Sequence, residues 1–236
     1  MNLTLMSYNT QHCLNFLTRE IDYDIMADTI RRCGADIVGL QEMRDEGERE
    51  DFHAQTRILA EKLGFYHYFA QAIRFHNGKD PYGNAILSRY PLLSLENIPI
   101  PDPANPIGTG HYETRCLLKA KVDVPGGLYV LVSHFGLNPD EAENAVQTVV
   151  ASLPEENCVL MGDFNVEPEN PVLDPIRQRL VDTEIYFDAP KLSFPSDAPV
   201  KKIDYIFVSK DLEVVSADIP SIVSSDHRPH LATIKK

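Results

Sequence analysis

At 236 residues, 43% of them hydrophobic, the chain has enough apolar material for one layered core, and residues 1–236 read as a single domain. Its 22 Lys and Arg against 35 Asp and Glu leave a formal charge of -13 and a pI near 5.0, which disfavours a protein that grips duplex nucleic acid by neutralising phosphates. Small phosphorylated substrates are compatible with that balance.

Leu3 to Tyr8 alternates as a strand, and Met1 to Asn9 has no basic segment followed by an apolar stretch, so no secretory leader is expected. Ile25 to Arg32 carries a helical apolar stripe ahead of the strand Ile37 to Leu40, and a second amphipathic segment, Phe52 to Leu63, follows. From Tyr82 to Val132 strands come in succession, among them Ala85 to Leu87, Cys116 to Val122 and Tyr129 to Val132, which predicts antiparallel pairing. Asn138-Pro139-Asp140-Glu141 combines an N-cap, a first-turn proline and a capping-box glutamate ahead of Ala142, Val146, Val149, Val150 and Leu153, the stripe of a helix packed on a sheet. Val159 to Met161 is the next strand, Asn170-Pro171 opens another helix, and the strands Ile203 to Val208 and Leu231 to Ile234 close the series. Ile98 to Gly110 and Asp188 to Pro199 are too rich in Pro, Gly, Ser and Asp for regular elements; both read as surface loops that wall a substrate site.

Helices interleaved with a strand-rich centre predict a mixed α/β (α+β) sandwich. No apolar run reaches membrane-spanning length, so no transmembrane segment is expected. Cys13, Cys33, Cys116 and Cys158 form no Cys-x-x-Cys pair, and Cys116 and Cys158 fall within apolar runs; reduced thiols and a cytoplasmic location are the expectation.

Acids and amides recur at strand ends. Leu160-Met161-Gly162-Asp163-Phe164-Asn165 ends an apolar strand in both, and alternation puts Asp163 and Asn165 on one side with Phe164 on the other; an Asx-turn would explain the same residues. Glu42 follows the strand at Ile37 as abruptly, with a solvated loop acid as the plain alternative. Asp204 lies inside an apolar strand, where a lone buried charge is costly, so it requires a partner. Ser225-Asp226-His227 forms a polar turn before the terminal strand, and a turn alone would explain it. Carboxylates sharing a cleft repel one another, and Mg²⁺ or Mn²⁺, which prefer oxygen ligands, are the usual relief. No His-x-x-x-His or Cys-x-x-Cys spacing favours zinc, and no GxGxxG, phosphate loop or Gly-x-Ser-x-Gly elbow supports a nucleotide cofactor or a serine hydrolase.

At these residues the chain resembles the endonuclease/exonuclease/phosphatase superfamily, which includes deoxyribonuclease I, abasic-site endonucleases, neutral sphingomyelinases and inositol polyphosphate phosphatases. The matching motifs run in family order: Ser7-Tyr8-Asn9, Gln41-Glu42, Tyr82-Gly83-Asn84-Ala85-Ile86-Leu87-Ser88, Ser133-His134, Gly162-Asp163-Phe164-Asn165, Ile203-Asp204-Tyr205 and Ser225-Asp226-His227. The resemblance implies a deoxyribonuclease I-like, four-layered αββα sandwich of two mixed sheets. It also implies a divalent-metal-dependent hydrolase that cleaves a phosphate ester, a diester in preference to a monoester, by direct attack of water. A DNA or RNA nuclease is the alternative, opposed by the charge, and a non-catalytic binding protein of the same fold is another.

By position, Glu42 resembles the principal metal ligand, with Asn9 beside it and Asp226 completing the metal site. Asp163 resembles the residue that orients or deprotonates water, and Asn165 and His134 resemble groups that hold phosphate oxygens. His227 resembles the residue that pairs with Asp204 and faces the phosphoryl group, so either Asp163 or His227 is the base, with Asp163 preferred. Arg115 contacts either phosphate or Glu113, and Asn84 either lines the cleft or satisfies a turn. Gln11 departs from the aspartate of abasic-site endonucleases, and His12 reads as a surface histidine. The acidic run Asp45 to Asp51 reads as a solvated helix entry, and no basic-aromatic stripe tracks nucleic acid. The expected partner is the phosphate-ester substrate, borne by a small molecule, a lipid headgroup or a nucleic acid, and the expected state is a monomer.

Overall fold

The computed structural model describes residues 1–236. In chain order it contains β1 (Asn2–Asn9), α1 (Tyr23–Arg32), β2 (Ile37–Arg44), α2 (Gln55–Leu63), β3 (Tyr66–Arg74), the single turn α3 (Phe75–Gly78), β4 (Asp80–Ser88), β5 (Leu92–Pro99), β6 (Cys116–Val122), β7 (Leu128–His134), α4 (Pro139–Ser152), β8 (Cys158–Asp163), α5 (Asp174–Arg179), β9 (Leu180–Asp182), β10 (Asp204–Ser209), β11 (Glu213–Asp218) and β12 (His230–Lys235). Local chemistry starts the helices. Asp22 accepts from the Asp24 and Ile25 amides at the head of α1, while Asn138 and Glu141 cap α4 reciprocally, as their spacing predicts. No helix is long and apolar enough to cross a membrane.

Two mixed six-stranded sheets result, in the orders β11-β12-β1-β2-β4-β3 and β5-β6-β7-β8-β10-β9. One apolar cluster, which includes Leu5, Ile86, Val132 and Met161, fills the space between them. A second joins Met6, Tyr8 and Leu40 to α1 and α2, and a third joins Leu131, Leu160 and Phe207 to α4 and α5. The layers are therefore helix, sheet, sheet, helix.

The structure refines several expectations. The succession from Tyr82 to Val132 divides between sheets, β4 joining the first while β5, β6 and β7 pair antiparallel in the second. Ile98 and Pro99 belong to β5, paired with Leu117 and Cys116, so the loop after them begins at Ile100. The acidic run precedes no helix directly: Asp80 accepts from the Glu48 and Arg49 amides at 2.9 and 3.1 Å, and Arg44 pairs with Asp51 at 2.7 Å, holding these residues as a loop until α2 begins.

One gradient runs along the facing surfaces of both sheets. Leu5 gives way to Ser7 and Asn9 in β1, Ile37 to Gly39 and Gln41 in β2, Val132 to His134 in β7, and Met161 to Asp163 in β8. Running antiparallel to their neighbours, β4, β10 and β12 contribute Asn84, Asp204 and His230 to the same end. The inter-sheet layer is thus oily over most of its length and polar at one end. Gly162 permits the tightest approach there, since a Cβ at that position would lie 1.9 Å from the Ser133 carbonyl oxygen. That contact sets His134 beside Asp163 in register.

His230 is fully buried at this end, with Nδ1 3.1 Å from the Asp204 carbonyl and Nε2 3.0 Å from Thr183 Oγ1. A neutral ring donates from Nδ1 to the Asp204 carbonyl, and Thr183, whose Oγ1 also lies 2.9 Å from the Ile206 carbonyl, shares its single hydroxyl hydrogen between that carbonyl and Nε2. Burial, then Lys202, lowers its pKa from 6.5 to about 3. Below pH 6.5 the unfolded chain takes up a proton that the folded chain refuses. The stability that His230 contributes is therefore complete above that pH and is lost as pH falls toward about 3, by up to about 1.4 kcal/mol per pH unit. Urea unfolding at pH 7.5 and pH 5 is expected to show a larger acid loss in wild type than in His230→Gln; equal losses would contradict this account.

Candidate active site

Asp163 ends β8 on the inter-sheet face, in register with His134 of β7 and Asp204 of β10. Its Oδ2 accepts from Asn9 Nδ2 at 3.0 Å and its Oδ1 from the Asn165 amide at 3.0 Å. The latter contact is an Asx-turn, so the bland and the functional readings of this motif describe the same atoms. Alternation does not carry Asn165 to its place. The chain leaves the extended region, Asn165 adopts φ +53, and its Nδ2 donates to the Phe135 carbonyl at 3.0 Å. Phe164 points the other way and stacks on Phe135 at 4.2 Å between centroids, anchoring the turn.

Asp204 has the partner its burial demands, His227 Nδ1 at 2.8 Å. The other ring nitrogen of His227 lies 3.6 Å from Asp163 Oδ2, and Phe194 packs on the ring at 4.7 Å. Burial opposes charge on His227, but Asp204 and Asp163 outweigh it and raise its pKa to about 10, so the ring is an imidazolium at neutral pH. Burial also raises the pKa of Asp163 above the ordinary carboxylate range, with His227 opposing and Asp204 adding to the effect.

His134 resolves differently. Arg115 Nη1 stands 3.2 Å from its Nδ1 and Asn165 Nδ2 stands 3.1 Å from its Nε2, yet a neutral imidazole accepts only one hydrogen bond. Burial, then Arg115, holds its pKa well below 6.5. Because the guanidinium can only donate, Nδ1 accepts and Nε2 carries the hydrogen, 3.6 Å from Asp163 Oδ2. One N–H of Asn165 is thereby left without a protein acceptor, beside the His134 Nε2–H. Arg115 also pairs with Glu113, one of the two partners its position allowed, and the Glu113 amide donates to Glu141 of α4 at 3.1 Å. Tyr112 donates to Asp140 and Gly110 to Asn138 in the same way, so the loop before β6 is laced to the α4 N-terminus.

Glu42 sits where the β2–β4 register shifts between Leu40 and Met43, with φ +62, and the bulge turns its carboxylate out of the pleat. Oε1 accepts from Asn9 Nδ2 at 2.9 Å, so the Asn9 amide bridges Glu42 and Asp163. Asn9 Oδ1 accepts from the Gln11 amide at 3.0 Å, and Gln11, His12 and Cys13 continue the turn in left-handed conformation. Burial raises the Glu42 pKa; Asn9 lowers it and Asp226 raises it again. Asp226 is half-buried, with Oδ1 accepting from Ser225 Oγ at 3.0 Å.

Two groups of residues could hold a metal. Ligand atoms of Asp163, Asp204 and His227 lie within 4.8 Å of one another, but His227 is a cation already bonded to Asp204, which makes it a poor ligand. Glu42, Asn9 and Asp226 offer oxygen donors, and two half-buried carboxylates that raise each other's cost of charging are what a hard divalent cation relieves. Buried side-chain atoms without protein partners, Asp204 Oδ1, Gln11 Oε1 and both ends of the Gln41 amide, fit the surroundings of such a polar ligand site.

Asn84 does not join this constellation through its amide, which donates across the sheets to the Cys116 carbonyl at 2.9 Å. His12 is half-buried, and burial followed by Arg44 lowers its pKa to about 4, unlike the surface histidine expected. Tyr82 was not singled out from sequence, although it opens the Tyr82 to Ser88 motif. It is buried, and burial together with Glu42 and Glu113 keeps its phenol protonated beside the acids. Phe194, which packs on His227, carried no local signal.

A model of the Endonuclease/Exonuclease/phosphatase family matches residues 6–227. The uncharacterised protein YbhP of Escherichia coli strain K12 is 27% identical over 235 residues, spanning 89% of this chain and 87% of its own. Among solved structures, an endonuclease/exonuclease/phosphatase from Beutenbergia cavernae superposes with TM-score 0.79 at 21% identity, covering 99% of this chain and 71% of that one. The mannosyl-6-phosphatase of Bacteroides thetaiotaomicron superposes with TM-score 0.76 at 19% identity, covering 99% and 100% of the two chains. These structural likenesses establish the fold.

In Asp204→Asn, burial is expected to dominate at His227, lowering its pKa from about 10 by roughly two pH units or more. Histidine NMR titration checks this; an imidazolium that persists in the variant to the same pH as in wild type would refute the pairing.

Proposed function

We propose that this chain, which belongs to the endonuclease/exonuclease/phosphatase family, hydrolyses phosphate diesters by direct attack of a water activated at Asp163, with Mg²⁺ or Mn²⁺ as cofactor. The observation that carries the reading is the junction at Asp163, whose carboxylate is oriented by Asn9 and the Asn165 amide and lies 3.6 Å from both His134 and His227 nitrogens.

Each residue then has a defined task. Asp163, made a stronger base by burial, takes the proton of the attacking water. The His227 imidazolium, held by Asp204, sets positive charge where the phosphoryl group gathers negative charge. The free N–H of Asn165 and the Nε2–H of His134 donate to phosphoryl oxygens. As the water oxygen bonds to phosphorus, the bond to the alcohol oxygen breaks, and no covalent bond to the protein forms. Glu42, Asn9 and Asp226 would hold the cation, which when bound supplies charge neutralisation at a phosphoryl oxygen and at the departing alkoxide. A diester is favoured because it brings one negative charge instead of two to a chain of net charge -13.

Turnover of bis-p-nitrophenyl phosphate is expected to require Mg²⁺ or Mn²⁺, to stop in EDTA and to exceed that of p-nitrophenyl phosphate. Electrostatic groups of this kind contribute on the order of 3 kcal/mol each, so Asp163→Ala and His227→Ala should each lose at least about a hundredfold in kcat. Wild-type rates in either variant would sink the assignment, and nicking of plasmid at physiological salt would replace it with a nuclease.

A further inference from the structure

Beside Asn165, a groove of about 690 Å³ opens between α4, the turn from Gly136 to Pro139, the segment from Asn165 to Pro175, and Lys201 with Ile203. Its walls are tied to the core. Tyr205 Oη donates to the Val166 carbonyl at 2.8 Å, Arg177 donates to the Pro168 carbonyl, and the Phe164 amide donates to the Ile203 carbonyl at 2.9 Å. Asn165 belongs both to this groove and to the cluster around Asp163, so whatever fills the groove stands next to the phosphate position.

The lining has three properties. No aromatic side chain contributes to it, so it offers no platform on which a nucleobase would stack. Ala142, Val146, Val166 and Ile203 give apolar surface, while Glu143 and Gln147, one turn apart on α4, and Glu167 present acceptors and an amide. Two carboxylates, Glu143 and Glu167, oppose the single cation Lys201, a balance that repels any further phosphate. The volume far exceeds that of a small alkyl group and is within the range of preformed ligand pockets.

We propose that this groove seats one alcohol substituent of the ester and selects a saturated, hydroxylated one, a sugar or polyol, whose C–H faces meet the apolar wall and whose hydroxyls meet Glu143, Gln147 and Glu167. The proposal rests on the phosphodiesterase reading above and names the substrate class for that site.

The test compares kcat/KM for three diesters that share p-nitrophenol and differ in the other alcohol: methyl, glucose through its 6-hydroxyl, and thymidine through its 5′-hydroxyl. The glucose ester is expected to exceed the methyl ester by at least about tenfold, a gain of the size that a few pocket contacts supply, and to exceed the thymidine ester. Gln147→Trp, which fills the groove from an exposed helix position, should bring the glucose-to-methyl ratio close to one. A thymidine preference, or a ratio unmoved by Gln147→Trp, would overturn the proposal. Amide NMR with glucose 6-phosphate in EDTA reads binding without turnover. Shifts at Glu143 and Gln147 in a protein that hydrolyses none of the three esters would support the groove and refute the phosphodiesterase reading; no shifts there would overturn the groove.

Discussion

Everything at the polar end of this sandwich depends on burying Asp163 and Asp204 against each other. The two carboxylates are 1% and 0% exposed and are register partners on adjacent strands. Their repulsion and lost hydration would expel such a pair from a core, and His227 reverses the balance by placing an imidazolium 2.8 Å from one and 3.6 Å from the other. Removing one member of a buried ion pair typically costs about 3–5 kcal/mol, more than a surface pair is worth, so the terminal turn that supplies His227 is a structural requirement. The two carboxylates and the imidazolium together leave the cluster a single net negative charge.

The strands can afford this only because they are oily elsewhere. Burying leucine, isoleucine and valine side chains returns about 1.5–3 kcal/mol each, and the inter-sheet cluster contains 21 buried residues, so a few unsatisfied polar atoms at one end do not threaten the fold. Gly162 and the bulge at Glu42 are the local devices that turn that surplus into geometry. One lets β7 and β8 approach; the other swings a carboxylate out of the pleat toward Asn9.

Much of this was legible in the residues. The polar gradient is written into the strands as Leu5 to Asn9, Met161 to Asp163 and Ile206 to Asp204, and the demand of Asp204 for a partner follows from its apolar neighbours alone. What stayed hidden depends on the chain bending back on itself. Asn165 reaches His134 through a left-handed turn that alternation does not describe, and Arg115 fixes the tautomer of His134 through a contact from the loop before β6 to the end of β7. Phe194 lies 33 positions from His227 and meets it only because two loops are hydrogen-bonded together, Ser196 to Ser225 and Arg228 to Ser196. The acidic run misled in the opposite sense: Asp80, distant in sequence, takes two of its amides and holds it as a loop.

Asn165 has an unusual position in this arrangement. Its amide steadies Asp163, its side chain borders His134, and its far side is a wall of the groove beside α4. A molecule that leans on that wall and a proton that settles on Asp163 therefore act on one residue held in a strained turn. Under the proposals above, recognition and basicity share a hinge, and by thermodynamic reciprocity a tighter fit in the groove would change the affinity of Asp163 for its proton as much as that proton changes the fit.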